Sequence, residues 1–234
     1  MNKQSNIYTI VYTIIMVVAV GAALAFTAMS LRPKQEDNAN ADKMKQILAS
    51  VRITPNPEEI TTDFEKYITA QFTVNAAGEK VGDNAFGINV AAESKIKDAS
   101  KRQLPVYECR IADDVKYIIP VYGAGLWGPI WGYVSFDSDG STIYGAYFAH
   151  QGETPGLGAE IDKAAFSNQF AGKQVFKNGV FYPIEVVKAG QKPADESDYV
   201  DGISGGTITS KGVGSMLDNC LSPYKAFLQT LSEK

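Results

Sequence analysis

The chain has 234 residues, 45% of them hydrophobic and 21% charged, with a formal net charge of −4. This describes a globular protein long enough to bury a sizeable core, and it excludes a disordered chain. The acidic balance, with no basic patch, excludes nucleic acid as a partner.

Residues 1–6 read as a short N-terminal tail. From Ile7 to Met29 there is no charged residue, a run of about 23 residues against the roughly 20 that cross a bilayer. Lys3 and Arg32 bracket it, and Tyr8 and Tyr12 suit an interfacial belt. A cleaved signal peptide is the competing reading, because Ala23-Leu24-Ala25 fits a cleavage site. Signal cores run to only about 7–15 residues, so a single uncleaved transmembrane helix over 7–29 is expected. Basic residues flank both ends, and charge alone does not decide the orientation.

Residues 30–42 read as a connector, with Pro33 to Asn40 polar and free of apolar periodicity. A domain over 43–234 follows. Met44, Ile47, Leu48 and Val51 mark a short amphipathic helix. Pro57 before Glu58 and Glu59 predicts a second helix start, with Ile60, Phe64, Tyr67 and Ile68 as its buried face. Ala77-Gly78 reads as a hairpin turn within Phe72–Val81. Val106–Arg110, Tyr117–Tyr122, Trp131–Phe136 and Thr142–Ala149 are rich in aromatic and β-branched residues and predict strands, with Ser138-Asp139-Gly140 as a turn. A helix over Lys163–Phe170 and a strand over Val180–Val187 come next. Val213, Met216, Leu217, Cys220 and Leu221 recur at helical spacing, so a last helix starts near Ser210 and is broken or kinked at Pro223. The order predicts an α+β fold with a twisted, mainly antiparallel sheet flanked by helices. Cys220 lies on the apolar stripe and reads as a buried thiol; its distance from Cys109 neither demands nor excludes a disulfide.

Three glycine-rich stretches carry the chemistry. Asp201-Gly202-Ile203-Ser204-Gly205-Gly206-Thr207-Ile208-Thr209-Ser210 lies at a helix N-terminus, with Thr209 or Ser210 as the expected cap. Free amides and the positive dipole end suit a phosphate there, and a threonine hydroxyl among them can be esterified. The run is not a Walker A loop, since Lys211 lacks the glycine spacing, and ordinary turn chemistry is the bland alternative. In Gly123 to Gly132, glycines surround a leucine and two tryptophans, and Leu126 and Trp127 offer apolar faces to a flat ligand. Gly152-Glu153-Thr154-Pro155-Gly156-Leu157-Gly158 reads as a tight turn, in which Glu153 and Thr154 could meet the polar edge of a ring and Leu157 its face. His150, the single histidine, has no companion ligands at metal spacing and reads as structural. No hydrolase elbow, zinc-protease motif or dinucleotide fingerprint occurs, so neither a catalytic residue nor a metal site is expected.

Taken in order, the apolar N-terminus, Gly-Leu-Trp-Gly-Pro-Ile-Trp-Gly, Gly-Glu-Thr-Pro-Gly-Leu-Gly and Asp-Gly-Ile-Ser-Gly-Gly-Thr resemble the C subunit of the sodium-translocating NADH:quinone reductases. The likeness covers most of the chain. It implies an electron-relay flavoprotein subunit without a catalytic site of its own. FMN would be joined by a phosphoester to the last threonine of an S/T-G-A-T motif, here Thr207. Gly206 stands where the family usually has alanine, which leaves Thr209 as the other acceptor. The resemblance also implies cofactor contacts from Ser204, Gly205, Gly206, Thr209, Leu126, Trp127, Glu153, Thr154, Leu157 and Gly158. It further implies a single-pass inner-membrane protein with its flavin domain on the periplasmic, extracytoplasmic side. Its partners would be the other subunits of the complex and a flavin transferase that installs FMN from FAD. The homologous G subunit of the ferredoxin:NAD oxidoreductase complex is the near alternative. A membrane-tethered scaffold without cofactor and a flavin-binding sensor are the distant ones.

Overall fold

A computed structural model describes residues 6–232. Lys3, expected to bracket the apolar run, and most of the 1–6 tail lie outside the described residues. In chain order the elements are α1 (Asn6–Ser50), α2 (Ile60–Tyr67), β1 (Ile68–Val74), β2 (Lys80–Gly82), α3 (Val90–Glu93), β3 (Leu104–Ile111), β4 (Asp114–Ala124), β5 (Pro129–Phe136) and β6 (Ile143–His150). There follow α4 (Ala164–Ser167), β7 (Phe176–Lys177), β8 (Val180–Phe181), β9 (Glu185–Val187), β10 (Tyr199–Asp201), α5 (Thr207–Leu221) and α6 (Lys225–Ser232). The chain divides into two compact units, the first closing at Lys43 and the second running from Met44.

In the first unit, an 18-residue window of α1 has mean hydropathy 2.4 and none of it is buried. Ile7 to Met29 thus forms a helix long and apolar enough to cross a membrane. Residues 30–42, expected as a connector, are helical instead: α1 runs through Pro33 without interruption. Proline forfeits one backbone hydrogen bond there. Downstream, Lys34, Gln35, Glu36, Ala39, Ala41 and Lys43 are good helix formers, and Arg32 pairs with Glu36 one turn on at 2.9 Å. The helix ends in a Schellman turn at Arg52 (φ 61°), where Ile53 N–H donates to Leu48 O at 3.0 Å and Arg52 N–H to Ala49 O at 3.0 Å.

The second unit is α+β. Six strands form one sheet in the order β2-β1-β3-β4-β5-β6, and every neighbouring pair is antiparallel. Both faces are covered, which is why its central strands read as near-continuous apolar runs. In β4, Ile118 points to one side and Ile119 and Val121 to the other. The first face packs with Ile47 and Leu48 of α1, with Val51 just past its end and with Phe64 of α2. The opposite face packs with Val213, Met216, Leu217, Cys220 and Leu221 of α5 and with Phe227 and Leu228 of α6. The expected 163–170 helix is a short α4 flanked by 3-10 turns. The expected strand over 180–187 is split into β8 and β9, because Pro183 between them cannot donate to a ladder. β9 pairs with β10 in parallel, bringing Val187 against Asp201 at the entrance to the α5 loop.

Candidate functional site

Three loops converge at the N-terminal end of α5. The first is the β4–β5 turn, closed by Gly125 N–H to Gly128 O at 2.8 Å. It holds Leu126 and Trp127 at its tip, with Trp127 69% exposed and Leu126 half-exposed. The second follows β6. There Thr154, itself exposed, accepts N–H bonds at its carbonyl from Leu157 and Ala159, both at 3.1 Å. Gly156 takes φ 75° in this turn. The third runs from Asp201 to Gly206, held by Gly202 N–H to Val187 O at 2.7 Å and by Ile203 N–H to Ser210 Oγ at 2.9 Å.

The helix start differs from expectation. α5 begins at Thr207 rather than near Ser210, and its N-cap is Gly206, with no side-chain cap. Thr209 and Ser210 do not cap because both side chains turn inward, where they are buried and hydrogen-bonded. The first bond within the helix is Ser210 N–H to Gly206 O at 2.9 Å, which leaves the amides of Thr207, Ile208 and Thr209 without an intrahelical acceptor. The two threonines diverge sharply. Thr209 is 1% exposed and donates its hydroxyl to Glu153, whereas Thr207 is exposed.

Glu153 is the joint of the site. It is 4% exposed; one carboxylate oxygen accepts Trp127 N–H at 2.8 Å and the other accepts the Thr209 hydroxyl. One acid therefore links the first two loops to the first turn of α5. Its carboxylate is buried between these two donors. Room for it exists because Gly125 and Gly158 lack side chains: a Cβ on Gly125 would strike one oxygen and a Cβ on Gly158 the other. Burial works to raise the Glu153 pKa, but the hydrogen bonds from Thr209 and from the Trp127 and Leu126 amides prevail and hold it below the usual glutamate value. His150 supports the same loop: its Nδ1 accepts Glu153 N–H at 3.2 Å, and its Nε2 stands 3.7 Å from Asp162.

Leu157 rests against the backbone of Gly205, which takes φ 76° and has no room for a Cβ beside Leu157 Cδ2. Leu126, Trp127, Leu157 and Ile208 remain exposed, a set of apolar side chains contributed by two of the loops and the first turn of α5. Thr207 also borders a cavity of about 530 Å³, whose walls include Ser204, Gly205, Lys188, Gln191 and Lys211. The structure thus gathers Ser204, Gly205, Gly206, Thr207, Thr209, Leu126, Trp127, Glu153, Thr154, Leu157 and Gly158 around one end of one helix. Sequence reasoning missed Ile208 and the two lysines. Lys211 was legible, since it stands four residues after Thr207 and so on the same helix face; Lys188 was not, because β9 brings it there from a distant loop.

The FMN-binding domain family profile matches residues 125–222, a stretch that contains all three loops. The C subunit of the Na(+)-translocating NADH-quinone reductase from Vibrio parahaemolyticus is 36% identical over 212 residues, covering 82% of this chain and 81% of that protein. The chain belongs to the C-subunit family of Na(+)-translocating NADH-quinone reductases. The C subunit of Yersinia pestis is 31% identical over 235 residues, covering 91% of this chain and 87% of its own length. The crystal structure of the Parabacteroides distasonis C subunit superposes with a TM-score of 0.78 at 52% identity, covering 85% of this chain and 96% of that one. The structure of Shewanella oneidensis NqrC, 24% identical with a TM-score of 0.68, shares the fold. The expected resemblance to the C subunit therefore holds over most of the chain, as do the α+β class and the antiparallel sheet.

Proposed function

We propose that this C subunit holds FMN as a phosphoester on Thr207 and relays electrons within a sodium-translocating NADH-quinone reductase. The observation that carries the choice of residue is the contrast between the threonines. Thr207 is exposed at the first position of α5, among amides that have no intrahelical acceptor, and it borders a cavity with two lysines in its walls. Thr209 is buried and its hydroxyl is committed to Glu153. An external transferase reaches only the first.

The residues present fit a flavin nucleotide. The α5 amides, Ser204 and the two lysines would hold the phosphate. Leu126, Trp127, Leu157 and Ile208 would cover the ring and limit its contact with water. Bound FMN supplies the redox chemistry. Attachment would come from FAD: the Thr207 oxygen forms a bond to the riboflavin-side phosphorus, the pyrophosphate P–O bond breaks, AMP leaves, and the hydroxyl proton passes to a base of the transferase. The protein then retains its cofactor without needing tight reversible binding, which suits a domain on the periplasmic side of the inner membrane. Residues 7–29 would form the single span, residues 43–234 the flavin domain, and the other subunits of the complex would supply and receive the electrons.

The test is peptide mass spectrometry after export with a flavin transferase. At completion, wild type and Thr209→Val are expected to carry one FMN on the peptide containing Thr207, and Thr207→Val none. Loss in Thr209→Val alone would move the site. Unmodified wild type in a host that flavinylates a control would leave a scaffold without cofactor.

A further inference from the structure

We propose that Glu153 is a positioning residue for the flavin: its buried carboxylate holds the Trp127 turn against the first turn of α5, so that the ring-covering residues and the attachment hydroxyl are presented as one rigid unit. This rests on attachment at Thr207. Nothing in the family match assigns the role, and three observations carry it. Both carboxylate oxygens are spent on the two elements concerned, Trp127 N–H at 2.8 Å and the Thr209 hydroxyl. Thr209 lies two residues from Thr207 on α5, and Trp127 is the most exposed apolar side chain of the site. The space for the carboxylate is made by glycines from two different loops, Gly125 and Gly158, so both of these loops are shaped around this one acid.

The role has a physical reason. The Leu126–Trp127 tip is a hairpin end with little of its own packing, since both side chains face solvent. Left to itself, such a tip is mobile and its indole has no defined place relative to Thr207. A charge-assisted hydrogen bond from a buried carboxylate to its backbone removes that freedom. The second bond refers the same carboxylate to α5, the element that bears the attachment site. Glu153 therefore acts through Trp127 and Thr207 and need not touch the cofactor.

Two substitutions break the link without removing Glu153, Trp127 or Thr207. Thr209→Val deletes one arm at constant shape, and Gly158→Ala pushes a Cβ into the carboxylate. Thr209→Ser keeps the hydroxyl and serves as the conservative variant. With the full chain in detergent, the readouts are the initial rate of FMN incorporation from FAD by the transferase, the visible circular dichroism of the attached flavin, and the Tm. Thr209→Val and Gly158→Ala are expected to slow incorporation by about tenfold or more, because small misplacements cost that much in oriented reactions. They should also change the sign or amplitude of the flavin dichroism in the same way, while Thr209→Ser restores both. Wild-type rate and dichroism in Thr209→Val, with only a lower Tm, would overturn the inference and leave attachment at Thr207 intact. Absence of FMN from Thr207 in the wild type would instead overturn the attachment reading itself.

Discussion

Glu153 concentrates the residue-scale energetics of this protein, because a buried acid that is charged must be fully hydrogen-bonded. Its folded pKa is depressed, so the stability it contributes is complete above the unfolded glutamate value of about 4.3 and is lost as pH falls through the lower folded value. Glu153→Gln is therefore expected to lower stability at pH 7 and to flatten the acid limb of the stability profile, read as denaturant midpoints between about pH 3 and 7. An unchanged acid limb would show that other carboxylates govern it. The cysteines are inert for the opposite reason. Burial pushes the Cys109 thiol up to about 11, and burial likewise raises Cys220, whose Sγ lies 3.4 Å from the Tyr122 backbone. Neither is in a disulfide. A thiol reagent at pH 8 should leave both unmodified in the native protein and react with both after unfolding, since only the thiolate attacks.

At the scale of the element, α5 does two jobs with two faces. Its apolar stripe anchors it across the sheet, and its first turn presents Thr207. Leu217, fully buried in that stripe, should cost about 2–5 kcal/mol when cut to alanine. FMN attachment at a temperature where the variant is folded should still occur, because the first turn is held separately by Glu153 and by Ser210. A variant that is folded yet refuses FMN would mean that the far end of the helix also shapes the site. The stripe was readable from spacing alone, but the start of the helix was not. Thr209 and Ser210 have the chemistry of caps, and tertiary hydrogen bonds to Glu153 and to the Ile203 amide took both hydroxyls inward. Gly206 then became the cap, and the helix began three residues early.

At the scale of the whole molecule, the chain separates an apolar helix from a two-sided α+β domain. Removal of residues 1–29 is expected to give a protein that stays in solution without detergent and still accepts FMN, because the core clusters from Ile47 onward lie within the unit that begins at Met44. Ultracentrifugation of membranes against supernatant, with flavin fluorescence of each fraction, checks both halves of that expectation. By itself the sequence determined what depends on neighbours along the chain: the apolar run, the periods of the strands and of α5, the turns at glycine, and the motif order that marks the family. Helix propensity past Pro33 was local information too, but it was outweighed there by polarity and a proline. What only the tertiary structure decided depends on groups far apart in sequence. The carboxylate of Glu153 meets Thr209 across 56 positions, which makes it the joint of the site, while Thr207 stays exposed. Lys188 comes to the same cavity through a parallel strand pair. Such meetings follow from the path of the chain through the sheet, and no periodicity encodes them.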